Sequence, residues 1–304
     1  MGLSLKKNLS VGHFLLALLV VFIWGTNFVV IKEVLASLPP LLFATLRFAL
    51  AFLPAALFLR RPRVPLWHLA SYGILIGVGQ FGMIYIAMGG GYISPGLTSL
   101  VVQTQVFFTI GLAMYVSGER IKLFQIFALI LAAAGLAVII RYTDGSTTPL
   151  GLTMVMIAAM SWASANIINR HSAKIDPNLN MLGFVVWSSL FAVPILLVLS
   201  LWFEGLPAIQ AGLAHMTLTT WLGVFWQTAA NTLFGYAAWA WLLSRYPAAT
   251  VSPMSLLVPV FGMGASALYL SEPLPAWKVI AASLILAGLA LNIVWPMLQQ
   301  KFKN

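Results

Sequence analysis

Two stretches, "GERIKLFQIFALILAAAGLAVII" (118–140) and "SEPLPAWKVIAASLILAGLALNI" (271–293), decide the architecture. Each opens on an acid, Glu119 or Glu272, and runs on through about 20 mostly apolar residues, the length that crosses a bilayer core. The two glutamates lie 153 residues apart, as do Gly135 and Gly288. At the same offset Ala128, Leu131, Ala134, Leu136 and Ala137 meet identical residues at Ala281, Leu284, Ala287, Leu289 and Ala290. Upstream, at an offset of 138, Trp24 meets Trp162, Lys32 meets Arg170 and Pro39 meets Pro177. One unit is written twice, which we take as an internal repeat with a first copy over 1–145 and a second over 146–304.

The rest of the chain says what kind of unit it is. Of 304 residues, 61% are hydrophobic and 7% charged, with a mean hydropathy of +0.98, far from the quarter-charged composition of soluble domains. We read an all-α integral membrane protein whose principal partner is the lipid bilayer. The net charge of +10 would suggest nucleic acid in a soluble protein, but the basic residues fall between apolar segments, so no nucleic-acid partner is expected. Cysteine is absent, which excludes a disulfide framework and thiolate metal sites. The basic and apolar start "LKKNLSVGHFLLALLVVFIWG" (5–25) lacks a small-x-small cleavage site and is read as a retained first helix.

Cutting at charges and Pro/Gly clusters leaves ten segments, near 12–31, 41–59, 67–88, 96–116, 122–140, 150–169, 180–202, 217–243, 249–270 and 277–297. Lys and Arg favour the cytoplasmic side. With loops on alternate sides, twelve basic residues, Lys6, Lys7, Arg60, Arg61, Arg63, Arg120, Lys122, Arg170, Lys174, Arg245, Lys301 and Lys303, gather on one side and only Lys32, Arg141 and Lys278 on the other. Both termini are therefore expected in the cytoplasm, in a multi-pass inner-membrane protein. Two halves of five helices cross in opposite senses, the inverted repeat of secondary transporters.

The five-helix repeat, Trp24 in "IWGTNF" and Trp162 in "SWASAN", "LRF" at Arg47, and Gly-Glu or Ser-Glu closing the fourth segment of each half resemble the drug/metabolite transporter superfamily, in its ten-helix EamA-type branch. Within it the chain is similar to bacterial YddG-type exporters of aromatic and other amino acids. The resemblance spans essentially the whole sequence. It implies helices around a central cavity lined by the first, third, fourth, sixth, eighth and ninth segments, with the fifth and tenth peripheral. On those lining segments Trp24, Trp162, Tyr236 and Trp239 become cavity candidates, whereas Trp67, Trp202, Trp277 and Trp295 near segment ends read as interfacial anchors.

Inside a membrane, polar side chains find only one another or cavity water, so those in mid-segment mark a site. Gln227 and Asn231 share a face of the eighth segment, Trp162 and Asn166 of the sixth, and Trp24 and Asn27 of the first. Gln80 and Tyr85 come from the third, and Thr98 and Gln103 from the fourth, with Gln105 beside them. Amides and rings on converging helices would bind an amino-acid ammonium and carboxylate while covering an apolar side chain; the competing role for each amide is to glue helices. Arg47 is the only charge well inside a segment, about 10 Å from its end, and is read as snorkelling or bonding to backbone carbonyls at a helix junction, with contact to substrate as the alternative.

No Asp or Glu lies in mid-segment, which speaks against a carboxylate-based proton antiporter, and His13, His68, His171 and His215 lie near segment ends, where solvated or capping roles are expected. Pro253 and Pro259 interrupt the ninth segment, and Gly89, Gly90, Gly91 and Pro95 precede the fourth; these are candidate hinges. Glu119 and Glu272 are read as caps on the helices that follow them. The expected function is alternating-access export of neutral amino acids or similar small metabolites, by a protein working as a monomer without cofactor or metal. Export of drugs or other metabolites is the alternative. An intramembrane transferase would need acid or His clusters that the sequence lacks, and a channel fits two kinked halves less well.

Overall fold

The computed structural model describes residues 10–117, 122–142, 147–246 and 251–303. Glu119 and the boundary at 145/146 lie outside them. Among the described residues eleven helices follow one another. They are α1 Val11–Leu35, α2 Pro40–Ala56, α3 Leu66–Gly89, α4 (Pro95–Val101, Val102–Thr104, Gln105–Ser117), α5 Leu123–Arg141, α6 Pro149–Ile175, α7 Met181–Phe203, α8 Gly205–Ala214, α9 (Leu218–Phe225, Trp226–Phe234, Gly235–Arg245), α10 (Ser252–Leu256, Leu257–Tyr269) and α11 Ala276–Lys303. Seven are long and apolar enough to cross a membrane. The ten expected segments are all helical; α8, in the connection after α7, was not expected.

This is an all-α membrane protein whose outer surface is greasy: Leu57 and Phe58 are more than four-fifths exposed, and Leu53, Ile130, Val198 and Leu268 are also exposed. In water such faces would be untenable together; in a bilayer they are the solvated face. The buried core runs from Phe28 and Ile31 of α1 through Phe43, Leu69, Ile84 and Leu97 to Phe184 and Val224.

The duplicated stretch becomes α5 packed along α11. A side chain on Gly135 would meet the backbone oxygen of Ala281 at 2.9 Å, and one on Gly288 would meet that of Ala128 at 2.6 Å. Gly135 and Gly288 are repeat partners, and so are Ala128 and Ala281, so the contact is reciprocal, as a two-fold relation requires. Small residues here let backbones approach where no hydrophobic drive exists within lipid.

The repeat also extends to irregular backbone. Leu75–Gly82 in α3 and Trp226–Phe234 in α9 are π-helical, 151 residues apart. Val102–Thr104 in α4 and Ser252–Leu256 in α10 are 3₁₀, 150 apart. Pro54 and Pro194 sit inside α2 and α7. Of the expected hinges, Gly89 ends α3, Gly90 and Gly91 form the turn that follows, with Gly91 at φ +70°, and Pro95 starts α4. Pro259 lies in the first α-helical turn after the 3₁₀ stretch that contains Pro253.

Glu272 corrects its expected role. Its carboxylate accepts from the Gly96 N–H at 3.0 Å, from the Ser94 hydroxyl, and from Lys278 Nζ at 3.0 Å. It therefore caps α4, in the other half of the chain, and not α11. Lys278, expected in a loop, is completely buried. Glu204 acts likewise on α2, accepting from the Leu41 and Leu42 N–H groups and from Ser200. Neither α2 nor the first turn of α4 is left with bare donors, and the positive end of each helix faces an anion.

The Leu257–Tyr269 part of α10 packs on α1 and on the Pro95–Val101 turns of α4. Its repeat partner, Gln105–Ser117, packs on α6, the repeat partner of α1; Tyr115 there is 89% exposed. The counterpart of Pro95–Val101 in the second half falls largely on 247–250, outside the described residues. Because Glu272 ties the closed pair together, Glu272→Ala should destabilise the detergent-solubilised protein by about 3 kcal/mol, leaving a buried ammonium unpaired. Adding Lys278→Met should recover part of that loss in thermal unfolding.

Candidate functional site

Among the described residues, the one charge in mid-helix organises the interior. Arg47 of α2 is 1% exposed. Its Nη1 donates to the Tyr85 hydroxyl of α3 at 2.9 Å, and Nη2 donates to Asn231 Oδ1 at 3.2 Å and Thr232 Oγ1 at 3.0 Å, both on α9. Phe81 lies 3.7 Å beneath the guanidinium carbon, a cation–π contact strengthened by desolvation. The reading of Arg47 as snorkelling, or as bonded to backbone carbonyls, is therefore corrected: its partners are side chains.

From Tyr85 the network continues in one direction. The Tyr85 hydroxyl donates to Gln227 Oε1 at 3.4 Å, and Gln227 Nε2 donates to Asn27 Oδ1 of α1 at 2.6 Å. Each group receives from one neighbour and donates to the next, an arrangement in which buried hydrogen bonds polarise one another. The π register makes it possible on α9: the Thr232 hydroxyl donates to the carbonyl of Gln227, five residues back, at 2.9 Å, and its oxygen still faces Arg47. Thr228 donates both to the Arg47 carbonyl and to that of Val224.

Beside this network stands an aromatic wall. Trp24 Nε1 donates to the Asn231 carbonyl at 3.1 Å, and the Trp24 ring lies 5.9 Å from Tyr236 and 5.2 Å from Trp239, tilted against both. All three rings are half-buried. A second polar cluster pairs α4 with α6: Asn166 Nδ2 donates to Gln105 Oε1 at 2.9 Å and reaches Thr109 at 3.5 Å, with Trp162 half-buried on the same helix.

Of the residues picked from the sequence, Trp24, Asn27, Tyr85, Gln227, Asn231, Tyr236 and Trp239 come together, and Trp162 and Asn166 belong to the α4–α6 cluster. Gln80 is buried in the α3 π stretch with its Oε1 unpartnered. Thr98 is fully buried and bonds the carbonyl of Ser94 in its own helix, and Gln103 is buried in the 3₁₀ turn. Arg47, Thr232 and Phe81 were missed as members; the lone mid-segment charge was the signal for the first. Trp67, Trp202 and Trp295 are exposed as anchors should be, whereas Trp277 stacks on Tyr142. His68, expected to be solvated or capping, is fully buried and bonded to Ser172.

A polytopic helical membrane protein with two matched halves and a polar, aromatic interior is a transporter in class. The EamA-like transporter family model matches residues 12–141 and 149–294, and the chain belongs to that family. It is 41% identical over 280 residues to a "Probable amino-acid metabolite efflux pump" of Salmonella typhimurium and 39% identical to one so named in Escherichia coli, covering 91% of this chain and 93% of each relative. A transporter of Bacillus subtilis, YoaV, is 26% identical over 90% of the chain and 94% of its own length. A solved crystal structure matches with a TM-score of 0.62 at 17% identity, over 96% of this chain and 99% of that one, a likeness of fold alone.

Gln227→Leu should leave Asn27 Oδ1 without its donor and the Tyr85 O–H, still accepting from Arg47, without its acceptor. At roughly 1–3 kcal/mol for each orphaned buried group, the variant should melt well below wild type, and adding Asn27→Leu should return part of the difference.

Proposed function

We propose that the chain exports amino acids or similar small amphipathic metabolites by alternating access. The observation that carries this is the roughly two-fifths identity to two proteins named as probable amino-acid metabolite efflux pumps, over nine tenths of every chain compared. The interior fits such a cargo: amides and hydroxyls for its polar end, and Trp24, Tyr236 and Trp239 for its apolar part.

In this reading ten helices cross the inner membrane as two inverted five-helix repeats, 1–145 and 146–304, around a central cavity, with α8 lying across a connection. The excess of basic residues on one set of loops puts both termini in the cytoplasm. The contact of α10 with α1 and α4 then lies on the external side. Trp24, Asn27, Gln80, Tyr85, Gln227, Asn231, Tyr236 and Trp239 contribute from one wall, and Thr98, Gln103, Trp162 and Asn166 from the other. The 3₁₀ stretches, including the one with Pro253, are the points about which the outer and inner parts of α4 and α10 pivot, with Pro259 fixing the start of the moving helix. One chain suffices for the cavity.

Purified protein in liposomes should carry labelled phenylalanine, threonine or methionine down a gradient. Trp24→Ala and Trp162→Ala should each cut the rate at least about fivefold if ring contacts of this kind carry ~1 kcal/mol or more, with the amount of folded protein unchanged. Flat uptake across a broad amino-acid panel by folded protein, with and without a proton gradient, would discard the reading. Competition by drug-like compounds but not by amino acids would favour drug export instead.

A further inference from the structure

We propose that Arg47 is the receptor for an anionic group of the cargo, a carboxylate, and that the three neutral oxygens bonded to it here are placeholders; this rests on the transport reading above. The argument begins with charge. A guanidinium 1% exposed has lost its water, a loss repaid in full only by an opposite charge in good geometry. Arg47 has none among the described residues. Glu204 is bound to the N-terminus of α2 and to Ser200, Glu272 to α4 and Lys278, and Asp176 accepts from the Asn178 N–H, while Glu33 is exposed. The partners of Arg47 are a phenol, an amide and a hydroxyl, and its Nε has no partner at all.

A planar fork with five donors matches a carboxylate in bidentate fashion, with bonds about twice as strong as those to neutral oxygens. The outer edge of this fork, Nη1 and Nη2, is the part now occupied by oxygens of Tyr85, Asn231 and Thr232. All three ride on helices with a π-helical stretch: Asn231 and Thr232 within that of α9, Tyr85 just beyond that of α3. Such stretches recur at functional sites; in the proposed bound state these oxygens withdraw while Arg47 stays seated on Phe81. Trp24, bonded to the carbonyl of Asn231, brings the aromatic wall to the same place, where an apolar group attached to the carboxylate would lie. A pin that only joined α2 to α3 and α9 would need no charge; a glutamine would serve.

The test compares phenylacetate with its neutral isostere phenylacetamide, read as thermal stabilisation of the detergent-solubilised protein. Wild type should bind phenylacetate at least about tenfold more tightly than the amide. Arg47→Gln should bring the ratio to about one, with phenylacetate weakened roughly 30-fold or more. Thr232→Val keeps the arginine and removes one placeholder, so it should strengthen phenylacetate binding, an effect that a static pin does not produce. Equal stabilisation by acid and amide in wild type, an unchanged preference in folded Arg47→Gln, or no gain in folded Thr232→Val would overturn the assignment. Labelled phenylalanine transport, measured in parallel, separates the two readings. Arg47-dependent phenylacetate binding without amino-acid transport keeps the anion site and discards the amino-acid cargo. Transport with an acid preference indifferent to Arg47 does the reverse.

Discussion

A buried guanidinium in a protein that is only 7% charged constrains everything around it. Water cannot reach Arg47, so two neighbouring helices must deliver oxygens to it, and they do so from Tyr85, Asn231 and Thr232. Those oxygens fix how α3 and α9 sit against α2, and through Gln227 and Asn27 the requirement passes on to α1. Much of the polar interior is thus one connected demand for hydrogen bonds, in a medium where an unmet one costs several kcal/mol.

The few carboxylates are used with the same economy. Glu204 and Glu272 each lie in the second half of the chain and cap a helix in the first. Helix starts such as Ser10, Thr148 and Asn180 supply their own caps, so a long-range carboxylate does more than neutralise a dipole. It joins the halves at a point where the helix end would otherwise be free to move away.

The spans and the repeat were legible in the sequence because they depend on composition and identity at fixed offsets: Gly135 and Gly288 marked the two copies before any geometry was known, though not that the helices carrying them cross. Asn27, Tyr85, Gln227 and Asn231 were legible because a polar side chain inside an apolar run must have a partner. The partners were not legible. Gly96 lies 176 residues from Glu272, and nothing local says that the acid serves α4 and not its own neighbour. The role of Arg47 was misread because a lone arginine at a third of a helix's length is equally compatible with snorkelling. The π stretches escaped because an inserted residue leaves the composition unchanged, and α8 because ten residues with two buried positions give no span.

Matched irregularities are what a two-state machine built from a duplicated unit requires. Because α3 and α9 carry π stretches, and α4 and α10 carry 3₁₀ turns, at the same places in the repeat, each half has the same means of deforming. On the proposed alternation, the contact of Leu257–Tyr269 with α1 and α4 parts in the opposite state. The Glu272–Lys278 pair must then open as the external contact parts, and the cost of exposing it sets how strongly the empty protein prefers the state seen here. A cargo whose carboxylate draws Asn231 and Thr232 away from Arg47 would loosen α9, the helix that carries the aromatic wall, and so couple occupancy of the centre to that opening.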